Sequence, residues 1–277
     1  MNLFLLDAYN LLFRAFCSVP DSIVDRENRS INAVYGMIAF MIRLRRDENA
    51  TRMVAAFDTP TVPTFRHRLY PLYQAQRGPM GGENADEFLR QVDAAVRIMP
   101  RLGVPAVLVP GYEADDIMGT LACRARDAGM EATIVSTDRD VLQLVGPGIG
   151  VAVPGSTLTY VRADNQVREK LGVPPSGVTT FKALAGDASD NIPGVRGIGR
   201  KTAAALIDAY RDLETMYAHL DEMSPRTRSL MIEGRDSAFL FRELVTLVTD
   251  LDLPVEPDNL EQVGFAPTDR VRALLES

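Results

Sequence analysis

Acidic side chains recur in short groups along this chain: Asp7, Asp58, Glu113 with Asp115 and Asp116, Asp138 with Asp140, and Asp187 with Asp190. Carboxylates gathered on one rim repel and raise one another's pKa, and divalent cations are the usual means of keeping them ionised together. No His or Cys stands among them, so an oxygen-only ligand set suits Mg²⁺ or Mn²⁺ rather than zinc. With only His67 and His219 in the chain, imidazole catalysis is not the main device. Taken singly, each acid has a plainer reading, because Asp is common at strand ends, in turns and in the first turn of a helix.

A second group is the run Pro193-Gly194-Val195-Arg196-Gly197-Ile198-Gly199-Arg200-Lys201-Thr202. Gly197 and Gly199 permit a tight turn with outward backbone N–H groups. The helix expected from Ala203 to Tyr210 adds its positive end, and Arg196, Arg200 and Lys201 add full charges, so phosphate binding is physically reasonable. A nucleotide P-loop fails, because Arg200 intervenes before Lys201-Thr202 and no strand precedes. A helix–hairpin–helix gripping a nucleic-acid backbone fits better, beside the simpler reading of a Gly-rich interhelical turn.

Three apolar runs deliver the first-half acids. Residues 2–6 read as a buried strand ending at Asp7, Met53 to Phe57 as a second ending at Asp58, and Ala132 to Val135 as a third running toward Asp138 and Asp140. A fourth, Val104 to Val109, passes through Pro110-Gly111 into a helix opening with Glu113, Asp115 and Asp116. Helices are expected over 9–17, 33–45 and 85–101, with a Pro-, Gly- and Arg-rich loop or partly helical excursion over 59–84. Alternating strands and helices imply an α/β domain with a mainly parallel sheet, whose site lies at the carboxyl ends of the strands. After Tyr160 the chain turns helical, which puts a domain boundary near 162. Val271, Leu274 and Leu275 suggest a small packed helix at the end.

The 277 residues, 46% hydrophobic and 24% charged, have ordinary globular composition. No apolar run reaches the ~18 residues of a membrane span. The apolar start is cut by Asp7 and lacks a basic lead, which argues against a signal peptide. Cys17 and Cys123 make no disulfide framework, and a reducing cytoplasm is the simplest home. The net charge of −7 argues against a nucleic-acid partner until its distribution is considered. The 30 bases are three lysines (Lys170, Lys182, Lys201) and otherwise arginine, which suits bidentate phosphate contact, although GC-rich coding also favours Arg.

With Asp7, Asp58, Glu113 to Asp116, Thr137 to Asp140, Gly186 to Asn191 and the Gly194 to Gly199 run in that order, the chain resembles the bacterial 5′-nuclease family over about residues 2–255. That family includes flap endonucleases and the 5′–3′ exonuclease domain of DNA polymerase I. The resemblance implies a PIN-like α/β domain (1–162), with a mainly parallel sheet flanked by helices and a helical arch near 66–90. A helical H3TH domain (163–277) follows. A free-standing chain of this length is expected to carry no polymerase.

The resemblance also implies a metal centre of Asp7, Asp58, Glu113, Asp115, Asp116, Asp138, Asp140, Asp187 and Asp190. Two or more ions (Mg²⁺ or Mn²⁺) about 3.5–4 Å apart would activate water and stabilise the leaving oxygen, giving a 5′-phosphate and a 3′-hydroxyl. Asp58, Asp115 and Arg77 are the expected catalytic residues. Arg14, Arg66, Tyr70, Tyr73, Gln74, Arg77, Gly197, Gly199, Arg200, Lys201 and Thr202 are the expected DNA contacts, with K⁺ at the hairpin carbonyls. Setting the nine ligands aside leaves 28 acids against 30 bases, so the DNA-facing surface need not be acidic. The expected substrates are DNA flaps, nicks and RNA primers met in replication and repair, acted on by a monomer.

Two positions depart from the family pattern. Tyr-Lys-x-x-Arg reads Tyr73-Gln74-Ala75-Gln76-Arg77, and Asp-Gly reads Asp7-Ala8. Gln74 keeps a donor but loses a positive charge, so a catalytically weak binder of branched DNA is the alternative function. An RNA-directed PIN-type ribonuclease is a third, but it leaves the hairpin and Asp187/Asp190 without a purpose.

Overall fold

A computed structural model of the chain describes residues 2–59, 61–78 and 82–263. The first part alternates β1 (Asn2–Asp7), α1 (Ala8–Ser18), α2 (Asn32–Asp47), β2 (Arg52–Phe57), α3 (Phe65–Leu69), α4 (Ala85–Ile98), β3 (Ala106–Leu108), α5 (Ala114–Asp127) and β4 (Glu131–Val135). Strands β5 (Ile149–Val153) and β6 (Thr159–Val161) complete the sheet. Its order is β3-β2-β1-β4-β5-β6, parallel except for the β5–β6 pair. The fold class is therefore the expected α/β one, and β1 stands where the order reverses, between β2 and β4. That reversal is the place where open α/β sheets bind ligands, outside the carboxyl ends of the strands.

Both faces of the sheet are covered, which explains the unbroken apolar strands. Leu3, Leu5, Val54, Ala56, Ala132 and Ile134 pack toward Ile117 and Leu121 of α5. The alternate residues Phe4, Leu6, Met53, Ala55 and Phe57 pack toward α1, α2 and α4 through Leu12, Met37, Met41 and Phe88. The helix expected over 85–101 stops at Ile98 and tightens into a 3-10 turn at Met99–Leu102, because Pro100 has no N–H to continue it. The strand expected over 104–109 is shorter, Ala106–Leu108. Strands β5 and β6 had no sequence signal strong enough to single them out; Gly146-Pro147-Gly148 and Gly150 make that stretch read as loop.

The second part is helical: α6 (Asp164–Leu171), α7 (Val178–Ala185), α8 (Arg200–Tyr210), α9 (Leu213–Ala218), α10 (Pro225–Glu233) and α11 (Arg235–Val245). Val178, Phe181, Leu184 and Leu206 join the same apolar cluster as Leu3 and Ile117, so one core runs from the sheet into the helices. Residues 246–263 then return as a strap. Val248 N donates to Asp116, Leu251 N to Thr120 Oγ1, and Val263 N to Thr51 O. The helix expected near Val271 lies outside the described residues.

Candidate metal centre

Asp7 is the last residue of β1 and caps α1: its Oδ1 accepts from Asn10 N at 3.1 Å, and its Oδ2 from Ser136 Oγ, beyond β4, at 2.7 Å. Asp58, just past β2, accepts from Ala114 N at 2.8 Å, so the first N–H of α5 holds it. Glu113 caps α5 and Asp115 lies in that helix's first turn. Asp138 Oδ1 accepts from Asp140 N at 2.8 Å, which fixes the loop after β4. Three strand ends and one helix start thus bring Asp7, Asp58, Glu113, Asp115 and Asp138 to one edge, as the strand order requires.

These carboxyls are short of compensating charge. Burial, with the charges of Asp58 and Asp138, pushes Asp7 up to about 7. Burial raises Asp58 as well, with Asp116 and Asp138 adding to it. Glu113 rises to about 8, because burial outweighs the attraction of Arg66. Asp115 is carried well above the ordinary carboxylate range by burial and by Asp138, Asp7, Asp58 and Glu113. Backbone and hydroxyl donors alone do not offset this crowding; an oxygen-liganded divalent ion would, so the donor set fits one.

The second part contributes through a tight turn. Asp187 N donates to Ile192 O at 2.7 Å and Ile192 N to Asp187 O at 2.8 Å, closing residues 187–192. Gly194 is required here, since a Cβ would lie 2.4 Å from Gly186 N. Oxygens of Asp140, Asp187 and Asp190 fall within 4.8 Å of one another, close enough to share an ion. Lys182 of α7 reaches both Asp140 and Asp187. Burial tends to raise Asp187, but Lys182 and Ser189 hold it below its ordinary value. The more enclosed Asp190 stays raised by burial despite Gln74 and Arg77.

A hydrogen-bonded chain joins the two groups. Tyr73 OH donates to Glu113 Oε2 at 3.2 Å, while Gln74 Nε2 donates to Tyr73 OH at 3.0 Å and to Asp190 Oδ1 at 2.9 Å. Arg77 Nη2 meets the same Asp190 oxygen at 2.8 Å and is 44% exposed, so its charge faces both the acid and solvent.

Three of the expected site residues, Arg66, Asp116 and Tyr73, are turned inward. Arg66, expected to contact DNA, is 1% exposed, and its hydrogen bonds all run inward. It grips Asp116 with two bonds of 2.7 and 2.8 Å, lies 3.1 Å from Glu113, and caps the end of α11 through Leu244 O and Thr246 O. Asp116 is correspondingly enclosed. It takes both Arg66 donors plus Val248 N and Glu113 N, which leaves it a brace between α3, α5 and the strap rather than an open ligand. Tyr73 is 4% exposed and holds Glu113, so it offers no face to a base; Tyr70 packs edge-on against Phe241.

The excursion over 66–90 is helical only at α3, a 3-10 turn at Gly82–Asn84 and the start of α4, and residues 79–81 lie outside the described residues. Arg14 is exposed on α1. At the hairpin, Gly199, Arg200, Lys201 and Thr202 are exposed where α8 begins, and a Cβ at Gly199 would meet open space. Gly197 differs: its φ is +86° and its Cβ position faces Leu230, so glycine there serves the turn itself. Ser136 and Lys182 were not foreseen. The signal for Lys182 was a lone lysine inside the apolar helix that precedes an acidic turn.

Residues 2–172 match the family model described as 5′-3′ exonuclease, N-terminal resolvase-like domain, and residues 173–268 match the 5′-3′ exonuclease, C-terminal SAM fold. DNA polymerase I of Mycobacterium tuberculosis is 38% identical across 97% of this chain. The chain spans about 29% of that relative's length. Among solved structures, the T5 5′-exonuclease with divalent zinc ions bound has a TM-score of 0.72 at 20% identity, covering 90% of each chain. The bacteriophage T5 flap endonuclease, in a pseudo-enzyme-product complex with DNA and metal ions, has a TM-score of 0.69 at 20% identity and the same coverage. No helix of the described residues is long and apolar enough to cross a membrane.

Proposed function

The chain belongs to the 5′–3′ exonuclease family, and from that premise we propose that it is a divalent-metal-dependent, structure-specific 5′-nuclease acting on DNA. Its substrates are flaps, nicks and RNA primers of replication and repair, cut by a monomer in the cytoplasm with a nuclease domain up to about residue 162. The observation that carries this reading is the crowding of Asp7, Asp58, Glu113, Asp115 and Asp138 on the edge where the strand order reverses, linked through Tyr73 and Gln74 to Asp190.

Those five acids would hold one Mg²⁺ or Mn²⁺ ion, and Asp140, Asp187 and Asp190 a second. When bound, such ions supply a nucleophilic water at neutral pH and charge stabilisation on the scissile phosphate, the products being a 5′-phosphate and a 3′-hydroxyl. The chain's own residues set the stage. Ser136 and Asn10 orient Asp7, the α5 N-terminus orients Asp58, and half-exposed Arg77 offers a fork to a phosphate oxygen. Arg200, Lys201 and the free N–H groups starting α8 grip duplex backbone without reading bases, with K⁺ at the hairpin carbonyls.

Incubating a labelled 5′-flap duplex with the protein and Mn²⁺ or Mg²⁺ tests the proposal. Cleavage that vanishes with EDTA and in Asp115→Asn is expected. Tight flap binding with no cleavage under any divalent ion would establish the weak-binder alternative instead.

A further inference from the structure

The hairpin-side acids carry a cation of their own. Lys182 lies in the last turn of α7, 8% exposed, with its ammonium against Asp140 Oδ1 and 2.5 Å from Asp187 Oδ2. Those two acids and Asp190 form the trio whose oxygens lie within 4.8 Å of one another. The neighbours Phe181, Ala183 and Leu184 are buried in the core, so α7 is anchored and only the four-carbon stem of the lysine is free to swing. Beside it opens a cleft of about 510 Å³, lined by Thr137, Asp138, Phe181, Lys182, Ser189 and Arg200 among others, into which the ammonium can swing. On the nuclease-domain side, Arg66 pairs with Glu113 at 3.1 Å but is itself committed to Asp116 and the end of α11.

Resting on the metal reading above, we propose that Lys182 is a tethered stand-in for the hairpin-side divalent ion, so that this ion binds only by displacing the ammonium from Asp140 and Asp187. An ion and an ammonium on the same oxygens repel strongly, so the two occupants exclude each other. At the nuclease-domain site Arg66 touches Glu113 and is held there by Asp116, while Asp7, Asp58, Asp115 and Asp138 have no ion pair among the described residues, so that site fills first. Lys182 thereby sets the order and the concentration at which the centre is completed, acting as a positioning residue.

The test is Mn²⁺ binding to the full chain without DNA, read by electron paramagnetic resonance and calorimetry, in the wild type, Lys182→Met and Lys182→Arg. Removing the competitor restores the competent fraction of the site, so Lys182→Met should bind the weaker ion about tenfold more tightly. The tighter ion should be unaffected, and Lys182→Arg should stay close to wild type. Without metal, Lys182→Met should melt lower than wild type, and Mn²⁺ should raise its melting temperature by more. Lys182→Gln serves if the methionine variant does not fold, as judged by circular dichroism. Equal or weaker binding of the second ion in a folded neutral variant would overturn the proposal while leaving the metal centre intact. Absence of Mn²⁺ binding in every form would overturn both.

Discussion

The two halves of the acid centre use the same residue types but differ in how far protein cations compensate them. On the nuclease-domain side, Asp7 sits near 7, Glu113 near 8 and Asp115 well above the ordinary range, each raised first by burial and then by its acidic neighbours. On the hairpin side, Lys182 and Ser189 hold Asp187 below its ordinary value, while Asp190, braced by Gln74 and Arg77, still stays raised by burial. One half is a deficit of positive charge that calls for an ion; the other supplies protein cations of its own. The comparison teaches that a carboxylate count does not by itself locate a metal site, since the neighbours decide whether an ion is needed.

The largest break in that comparison should come from Asp115→Asn. Even outer-sphere changes cost metal sites about 10–100-fold in affinity or activity. Loss of a carboxylate from the uncompensated half should therefore lower flap cleavage by at least about a hundredfold. Asp187→Asn, whose partner Lys182 remains, should cost less. Single-turnover cleavage of both variants ranks them, and an Asp187→Asn defect equal to the Asp115→Asn one would erase the distinction.

Arg66→Met comes next, as a change of stability. It leaves Asp116 buried without its ion pair, and breaking such a pair typically costs about 3–5 kcal/mol. Urea unfolding should show a loss of that order; a loss under about 1 kcal/mol would mean that Asp116 does not depend on Arg66.

Much of this arrangement was legible in the sequence. Apolar runs that each end in an acid predict strands whose carboxyl ends share an edge, and the strand order puts Asp7, Asp58 and Asp138 there. What stayed hidden are pairings made across long stretches of chain. Phe65-Arg66-His67-Arg68 reads as a basic surface, yet Arg66 bonds to Asp116, 50 residues away, and to Leu244, 178 away. Burial of that kind depends on α11 and the strap arriving over α3, which no local pattern encodes. Lys182 was hidden for the same reason, since one of its partners, Asp140, belongs to the other part of the fold.

A gentler effect should follow from pH. Between the ordinary carboxylate range near 4 and about 8, the metal-free folded protein keeps protons on Asp7 and Glu113 that the unfolded chain has already released. The folded state then binds more protons, so stability falls as pH rises through this window, by on the order of a few kcal/mol. Asp187, held low, contributes only below the ordinary carboxylate range and is silent here. Urea midpoints at pH 5.5 and 8.5 with EDTA should therefore differ, the lower pH being the more stable. Mn²⁺ should shrink the gap by stabilising the ionised acids; a gap unchanged by Mn²⁺ would detach these carboxyls from the ion.

The smallest effect concerns Gln74, where the two halves meet. Its backbone is left-handed (φ +53°), its N–H donates to Asp190 O at 3.0 Å, and its side chain bridges Asp190 and Tyr73. Gln74→Lys keeps a donor at that place and adds a charge, extending the compensated half toward Glu113. A phosphate passing Arg77 would gain on the order of 1 kcal/mol of attraction, or about a fivefold change in rate. Gln74→Met removes the bridge altogether and should lower cleavage, because Glu113 and Asp190 are then no longer held in register through Tyr73. The added charge should act unequally on flap and nicked substrates, shifting the ratio of endonuclease to exonuclease products. Equal rates on both substrates for wild type and Gln74→Lys would show that the missing charge is compensated elsewhere, with Arg77 as the group already supplying it.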